Sequence, residues 1–303
     1  MVLDQRNAGA SVTPTNNQYT LDRWVWQEVT AGKCTVAQSS TSTAGFTNSL
    51  LITSTSAYTP LTGDVMTIGQ RIEGFNAADL GWGTASAKTI TVSFWVRSSL
   101  TGAFGGTLRN GSTARSYPFL FTITSANTFE YKTVVVAGDT SGTWATNNST
   151  GLQLSFAVGS GATYKGTAGA WASAAYYSAT GATDLVGTSG ATFYVTGVQL
   201  EAGSVATPFE YVDYSRQLQQ CQRYFEKQGM WGQIASGGYG QGGGFTWTLK
   251  VSMRATPTIT FSNQTIGSSA ATYGPQETGG CGMGSSGNAN GQFQFTATAS
   301  AEL

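Results

Sequence analysis

The ten residues "TITVSFWVRS", 89–98, put Ile90, Val92, Phe94 and Val96 on one side of an extended chain and Thr91, Ser93, Trp95 and Arg97 on the other. An apolar residue at every second position marks a strand with one face in a core, and the 3.6-residue period of a helix is absent. The alternation returns in "SYPFLFTIT" (116–124) through Tyr117, Phe119, Phe121 and Ile123. It returns again in "GLQLSFAV" (151–158) through Leu152, Leu154, Phe156 and Val158. Further strands are expected in "RWVWQEV", "NSLLITS", "VMTIGQRIEG", "FEYKTVVVAG" and "ATFYVTGVQLE". Turn-forming segments such as "LTGD", "GDTSGTW", "NNSTG" and "GSGAT" separate them. Many short strands punctuated by Gly and Asn predict an all-β jelly-roll sandwich. No repeat of roughly 20 residues or more occurs, which excludes a parallel β-helix.

Composition narrows the functional classes. Only 10% of the 303 residues are charged and the formal net charge is zero, so no electrostatic footprint for nucleic acid exists. Aromatic residues make up 12%, too many for a disordered chain. No apolar run approaches the roughly 20 residues of a membrane span, so membrane insertion is not expected. The start, "MVLDQRNAGASVT", lacks the apolar core of a signal peptide, which predicts synthesis in a cytoplasm without export by that route. Cys34, Cys221 and Cys281 are far apart and form no CxxC, so neither structural zinc nor another cofactor is expected. Histidine is absent; Ser-His-Asp and Cys-His catalysis and histidine metal sites go with it.

One stretch departs from the strand texture: "VQLEAGSVATPFEYVDYSRQLQQCQRYFEK", residues 198–227. Gly203 and Pro208 break the strand that ends at Glu201. Asp213 or Ser215 is placed to cap a helix and Gly229 to end it. Between them Tyr214, Leu218, Cys221 and Phe225 fall at spacings of four, three and four, one apolar stripe among Arg216, Gln219, Gln220, Arg223 and Lys227. So short a helix is marginal alone in water. Its stripe must pack either on the chain's own sheet or on the same helix of sister chains near a symmetry axis. The expected organisation is therefore a jelly roll over residues 1–212, a connecting helix over 213–229 and a small β module over 230–303.

In that last module "GMWGQIASGGYGQGGG" leads to "FTWTLKVSM", where Phe245, Trp247, Leu249 and Val251 share a face. "TPTITFS" and "GQFQFTATASAEL" add strands around the long, small-residue loop "GPQETGGCGMGSSGNANG". A module this thin is expected to bury enough surface only by oligomerising.

Taken in order, "DQRNAG…YTLDRW", "VSFWVRSSLTG", "VVVAGDTSGTW" and "VTGVQLEAGSVATPFEY…CQRYFE" resemble the carbohydrate-binding-module-like jelly-roll domain of bacteriophage tail fibres and related virion fibre proteins. The resemblance covers residues 1 to about 227. "SMRATPT" and the ending "ASAEL" are similar to the C-terminal modules of such fibres. The resemblance implies a virion component, commonly a homotrimer, that joins other virion proteins and attaches to the host. Such fibres carry a long N-terminal anchoring part, whereas the similar domain here begins almost at Met1. Anchoring is therefore expected to use a partner subunit or the domain's own surface.

Three kinds of chemistry compete for the polar residues. Glycoside hydrolysis needs two carboxylates about 5–9.5 Å apart; Glu201 and Glu210 are the nearest suggestive pair. They read better as a strand end and a residue before the helix, and Asp139 in "AGDTSGTW" as a turn residue. No catalytic residue is assigned. Asp4, Asp22 and Glu201 could contribute to a calcium site but show no ligand spacing. Stacking on sugar rings is the remaining chemistry. Trp24, Trp26, Trp95 and Trp247 lie in strands and are expected in cores, while Trp82, Trp144 and Trp171 lie in loop context. Trp231, Tyr239 and Tyr273 stand among glycines and small residues, with Gln233, Gln241 and Asn290 nearby to bond sugar hydroxyls. They form the expected contact surface for a host-surface glycan; Trp144 and Trp171 form a second. The rival readings are a structural virion protein (capsid decoration, head fibre or adaptor) and a polysaccharide-cleaving spike.

Overall fold

In the computed structural model of the chain, the backbone is described for residues 2–234, 244–266, 270–277, 280–286 and 291–303, and side chains for 2–230, 247–262 and 294–303. Two compact units divide it, one spanning Met1–Tyr211 with Leu303 and the other Val212–Glu302. No helix among the described residues is long and apolar enough to cross a membrane.

The first unit opens with β1 (Tyr19–Leu21), β2 (Trp24–Glu28), β3 (Cys34–Ser39), β4 (Ser49–Ser54) and β5 (Val65–Glu73). Next come β6 (Ile90–Ser98), β7 (Gly102–Asn110), β8 (Ser116–Ile123), β9 (Glu130–Val136) and β10 (Thr150–Ser160). Two short strands, β11 (Lys165–Gly166) and β12 (Ser178–Ala179), precede β13 (Thr192–Ala202). One sheet has six strands in the order β1-β2-β5-β10-β7-β8, and the other has five, β3-β4-β13-β6-β9. Four antiparallel pairs are nested inside one another: β7–β8, β6–β9, β5–β10 and β4–β13. They alternate between the two sheets. That is one long hairpin wrapped around a barrel, the defining connectivity of a jelly roll.

The inner faces of both sheets supply the core. Trp24, Trp26, Ile68, Leu108, Leu154 and Phe156 come from the six-stranded sheet, and Ile52, Ile90, Val92, Phe94, Val96 and Phe193 from the five-stranded one. Phe94 meets Phe121 and Phe156 edge-on at 5.0 and 4.9 Å, the arrangement aromatic quadrupoles favour. Gly106 is required here, because a Cβ would come within 2.4 Å of the Phe119 ring. Trp95 departs from the core expectation. It lies on the outer face of β6 with Thr91, Ser93 and Arg97, half-buried against Tyr131 at 5.4 Å. Trp82 lies in a turn, as its loop context suggests, yet is only 7% exposed.

The second unit begins with α1 (Tyr214–Gln222), capped by the Asp213 carboxylate, which accepts from the Ser215 and Arg216 N–H groups. Then follow β14 (Phe225–Ile234), β15 (Gly244–Thr248), β16 (Thr258–Ile266), β17 (Ala270–Glu277), β18 (Gly280–Ser286) and β19 (Gly291–Ser300). They make two three-stranded sheets, β14-β19-β16 and β15-β18-β17. The helix is shorter than the sequence pattern suggested. Phe225 and Gly229 belong to β14, which pairs with β19 from Phe225↔Ser300 to Ile234↔Gly291. The Tyr224 N–H bonds the Cys221 carbonyl, and the chain then turns extended. A continuous ladder satisfies more backbone groups than one further helical turn, and Phe225, which opens it, suits a strand. Of the expected stripe, Cys221 is buried, Leu218 half-buried and Tyr214 56% exposed. Met230, Trp247, Leu249, Met253, Ile259 and Phe295 form this unit's core. The buried Glu226 carboxylate accepts from the Trp247 indole N–H at 3.3 Å and the Lys250 N–H at 3.0 Å.

Candidate functional site

The outer face of the six-stranded sheet is polar but largely hidden from water. Alternation puts Gln27, Thr67, Arg71, Thr107, Arg109, Gln153 and Ser155 there, opposite the core residues that neighbour them in sequence. Register then makes a row, because Gln153 on β10 pairs with Arg71 on β5 and with Arg109 on β7. The Arg109 Nη2 donates to the side-chain oxygens of Gln27 at 2.8 Å and Gln153 at 3.0 Å. Arg71 donates to the Asn17 side chain at 2.7 Å and to the Leu303 carbonyl. Gln27 and Arg71 are half-buried.

Residues 162–187 form a strap across the β7–β8 side of this tray. β11 and β12 pair within it in parallel, and the Lys165 ammonium binds the Asp184 carboxylate at 2.8 Å. The Thr107 hydroxyl donates to the Tyr176 carbonyl at 3.2 Å, and the Tyr176 N–H donates to the Ser116 hydroxyl at 3.2 Å. Gly105 lets the strap settle, since a Cβ there would meet the Ser178 hydroxyl at 2.2 Å. The strap lays the Tyr177 ring over Arg109, with the guanidinium carbon 3.7 Å from the ring centre. Arg109 is 0% exposed, and its Nε and Nη1 have no acceptor. Among the described residues no carboxylate pairs with it. Burial accordingly pulls its pKa below the ordinary arginine value, and the nearby Tyr177 opposes that fall. The tray thus holds donors and acceptors in fixed planes beside an aromatic strap, with Gln27 and Arg71 its half-buried members.

The second expected surface is a plug. Trp144 and Trp171 join Trp82 in a mutual edge-to-face cluster, with ring centres 4.7, 5.3 and 5.5 Å apart, and Trp171 also meets Tyr117 at 5.2 Å. All three indole N–H groups donate to backbone carbonyls, of Lys88, Ser141 and Ala137. No indole donor is left for a ligand, though Trp144 and Trp171 stay half-buried. Asp139 is more than a turn residue. Its two oxygens accept from Arg115 Nε and Nη2, both at 2.7 Å, and one also accepts from the Ser141 N–H. These bonds raise the Arg115 pKa.

Trp231 and Gln233 fall on β14 and Tyr273 on β17, with side chains outside the described residues. Tyr239, Gln241 and Asn290 lie outside the described residues altogether. Glu201 accepts from the Thr207 N–H and hydroxyl at 2.8 and 2.7 Å, and these bonds lower its pKa. The Glu210 N–H donates to Gln199 at 2.8 Å, and Asp213, not Glu210, caps the helix. Asp4 accepts from the N–H groups of Asn7 and Gly9, and Asp22 from Gln5; burial raises the Asp22 pKa. Among the described residues no group of three His, Cys, Asp or Glu side chains is placed to hold a metal ion.

No family model and no curated protein matches the chain. Solved structures similar to it include the enzymatically active domain of bacteriophage CBA120 tailspike protein 4, at 12% identity and TM-score 0.35, over 59% of this chain and 19% of that one. A structure described as "CBM4 structure and function" is similar at 14% identity and TM-score 0.33, over 67% of this chain and 93% of its own. A family 11 carbohydrate-binding module from Clostridium thermocellum follows at 13% identity and TM-score 0.32, over 61% and 92%. Likenesses this distant carry no argument about what the chain binds.

Proposed function

We propose that the chain is a bacteriophage virion fibre protein that attaches to its host by binding a surface glycan, without cleaving it. The observation that carries the glycan reading is the in-register row Arg71–Gln153–Arg109 with Gln27, planar side chains held on one rigid sheet beside an aromatic wall. Sugars are recognised by such fixed planar donors and acceptors together with flat apolar surfaces. The virion assignment is supported by the ordered motifs that end in "VQLEAGSVATPFE" and "CQRYFE". The non-enzymatic reading is supported by the absence of histidine and by the structural tasks of Glu201 and Asp139. Assembly is as a homotrimer, with the exposed Tyr214 and half-buried Leu218 of α1 available to sister chains; light scattering of the purified chain should give about three times 31.6 kDa. The glycan reading is tested by a glycan array with the full chain. Wild-type protein should retain a defined set of glycans, and Gln153→Ala should weaken retention about tenfold by removing one fixed acceptor. Retention of no glycan overturns the reading.

One observation favours a second reading, a structural virion protein. The five-stranded sheet presents Tyr131 and Val135, 44% and 48% exposed, beside Trp95 on its outer face, a surface suited to another viral protein.

A further inference from the structure

The glycan reading leaves Arg109 unexplained. A neutral sugar needs no cation, yet the floor of the tray carries a fully buried guanidinium with no counter-charge. Buried arginine is normally paired, because removing a charge from water is costly. Here the Nε and Nη1 donors have no acceptor, and the π face of Tyr177 substitutes for a partner at 3.7 Å. Cation–π contact offsets part of the desolvation but satisfies no N–H. Tyr177 is itself half-buried, and its ring also meets Tyr164 at 5.3 Å. The hydrogen bonds that tie the strap to the sheet lie at Ala172, Ala174, Tyr176, Thr183 and Asp184, and the Tyr177 N–H bonds the Tyr164 carbonyl. The Tyr177 ring is the part of the cover that rotation about its own side-chain bonds would remove.

Resting on the glycan reading, we propose that the tray takes an acidic glycan, and that the Tyr177 ring is a displaceable cover over the arginine that receives its carboxylate. When the ring swings aside, a sugar carboxylate reaches the guanidinium as its missing counter-charge, with Gln27 and Gln153 holding the guanidinium plane. Charge-assisted bonds of this kind are shorter and roughly twice as strong as neutral ones. No covalent step is involved. A site built to satisfy a charged group discriminates strongly against the analogue without it.

The experiment uses the full chain and calorimetric titration with oligogalacturonate and with a neutral galactan oligosaccharide of equal length. Wild-type protein should prefer the acidic oligosaccharide by about tenfold or more. Arg109→Met should cost acidic binding far more than neutral binding, so that the preference is lost, and Tyr177→Ala should strengthen acidic binding by opening the cover. Phenylglyoxal labelling of Arg109, read by mass spectrometry, gives a measurement independent of whether Arg109→Met folds. Labelling should be slow in wild type, faster in Tyr177→Ala and suppressed in that variant by oligogalacturonate. Equal binding of acidic and neutral oligosaccharides overturns this inference and leaves the glycan reading standing. Retention of no sugar on an array overturns both. Weaker acidic binding by Tyr177→Ala overturns the cover, since it would make the ring part of the binding surface.

Discussion

Replacing Asp139 by Asn tests whether one ion pair organises the tryptophan plug. Asp139 and Arg115 are joined by two N–H···O bonds of 2.7 Å, with side-chain exposures of 2% and 14%. Removing one partner of a fully buried pair costs about 3–5 kcal/mol, mostly because the other charge is stranded. Arg115 retains some access to water and its Nη1 keeps the Ser173 hydroxyl, so the cost falls somewhat below that range, to about 2–3 kcal/mol. In a unit of this size a loss of 1 kcal/mol lowers Tm by about 2–4 °C, which predicts a fall of roughly 5–10 °C. Urea unfolding of the full chain, followed by tryptophan fluorescence, reads the same loss because Trp82, Trp144 and Trp171 report on the plug. A double-mutant cycle with Arg115→Met separates the pair from its surroundings, and the coupling should be about 2 kcal/mol. A change under about 0.5 kcal/mol, or additive single variants, would refute the role given to the pair.

Two further outcomes follow from the titrating groups. Burial works to raise the Glu130 pKa, but bonds from Lys132, the Ser125 and Thr124 N–H groups and the Thr124 hydroxyl outweigh it and hold the carboxyl at about 2 against an ordinary 4.5. For Asp64, too, burial is outweighed, by Tyr58, Thr30 and the Leu61 N–H, and its pKa is lowered. Below the ordinary carboxylate range the unfolded chain binds these protons and the folded one does not. Their stabilisation is therefore full above about pH 5 and lost as pH falls toward 2. Urea midpoints measured from pH 6 to pH 2 should fall, and Glu130→Gln should flatten part of the slope; an unchanged slope would remove the Glu130 network from the account. The Cys34 thiol is pushed up to about 12 by burial, with Glu28 adding to the rise. Iodoacetamide at pH 8 should leave Cys34 unmodified in folded protein and alkylate it in urea, as peptide mass spectrometry can show. Prompt native labelling would contradict its position on β3.

Most of the jelly roll was legible because each strand has one apolar and one polar face, and that contrast writes a period of two into the sequence. Ile90 to Val96 and Leu152 to Val158 fall on their strands as the alternation requires. Trp95 follows parity over residue type: it faces outward with Thr91, Ser93 and Arg97 although tryptophans in strands are usually core. The helix end was misjudged because the stripe ran on to Phe225, and the pairing partner that ends it, Ser300, lies far along the chain. The tray was not legible for the same reason. Gln153 and Arg109 each read as an unremarkable outward-facing residue. Only the register of β7 and β10 puts them side by side, and only a strap from elsewhere in the chain covers Arg109.

The nesting of the strand pairs sets an order for the ribosome and the unfolded chain. β7 and β8 are close neighbours in sequence, so their hairpin can close as soon as it is synthesised. The outermost pair joins Leu50 to Val195, and every inner pair lies within that span. Closing so long a loop carries the largest entropic penalty, and non-local pairings of this kind slow folding. Until β13 arrives, β4 with Leu50 and Ile52 is an apolar strand lacking one neighbour, the kind of edge that recruits other chains. A chain cut before residue 192 would keep every inner pair and still be unable to shut. Aggregation of nascent or truncated protein should therefore centre on β4, and a peptide copying β13 should suppress it.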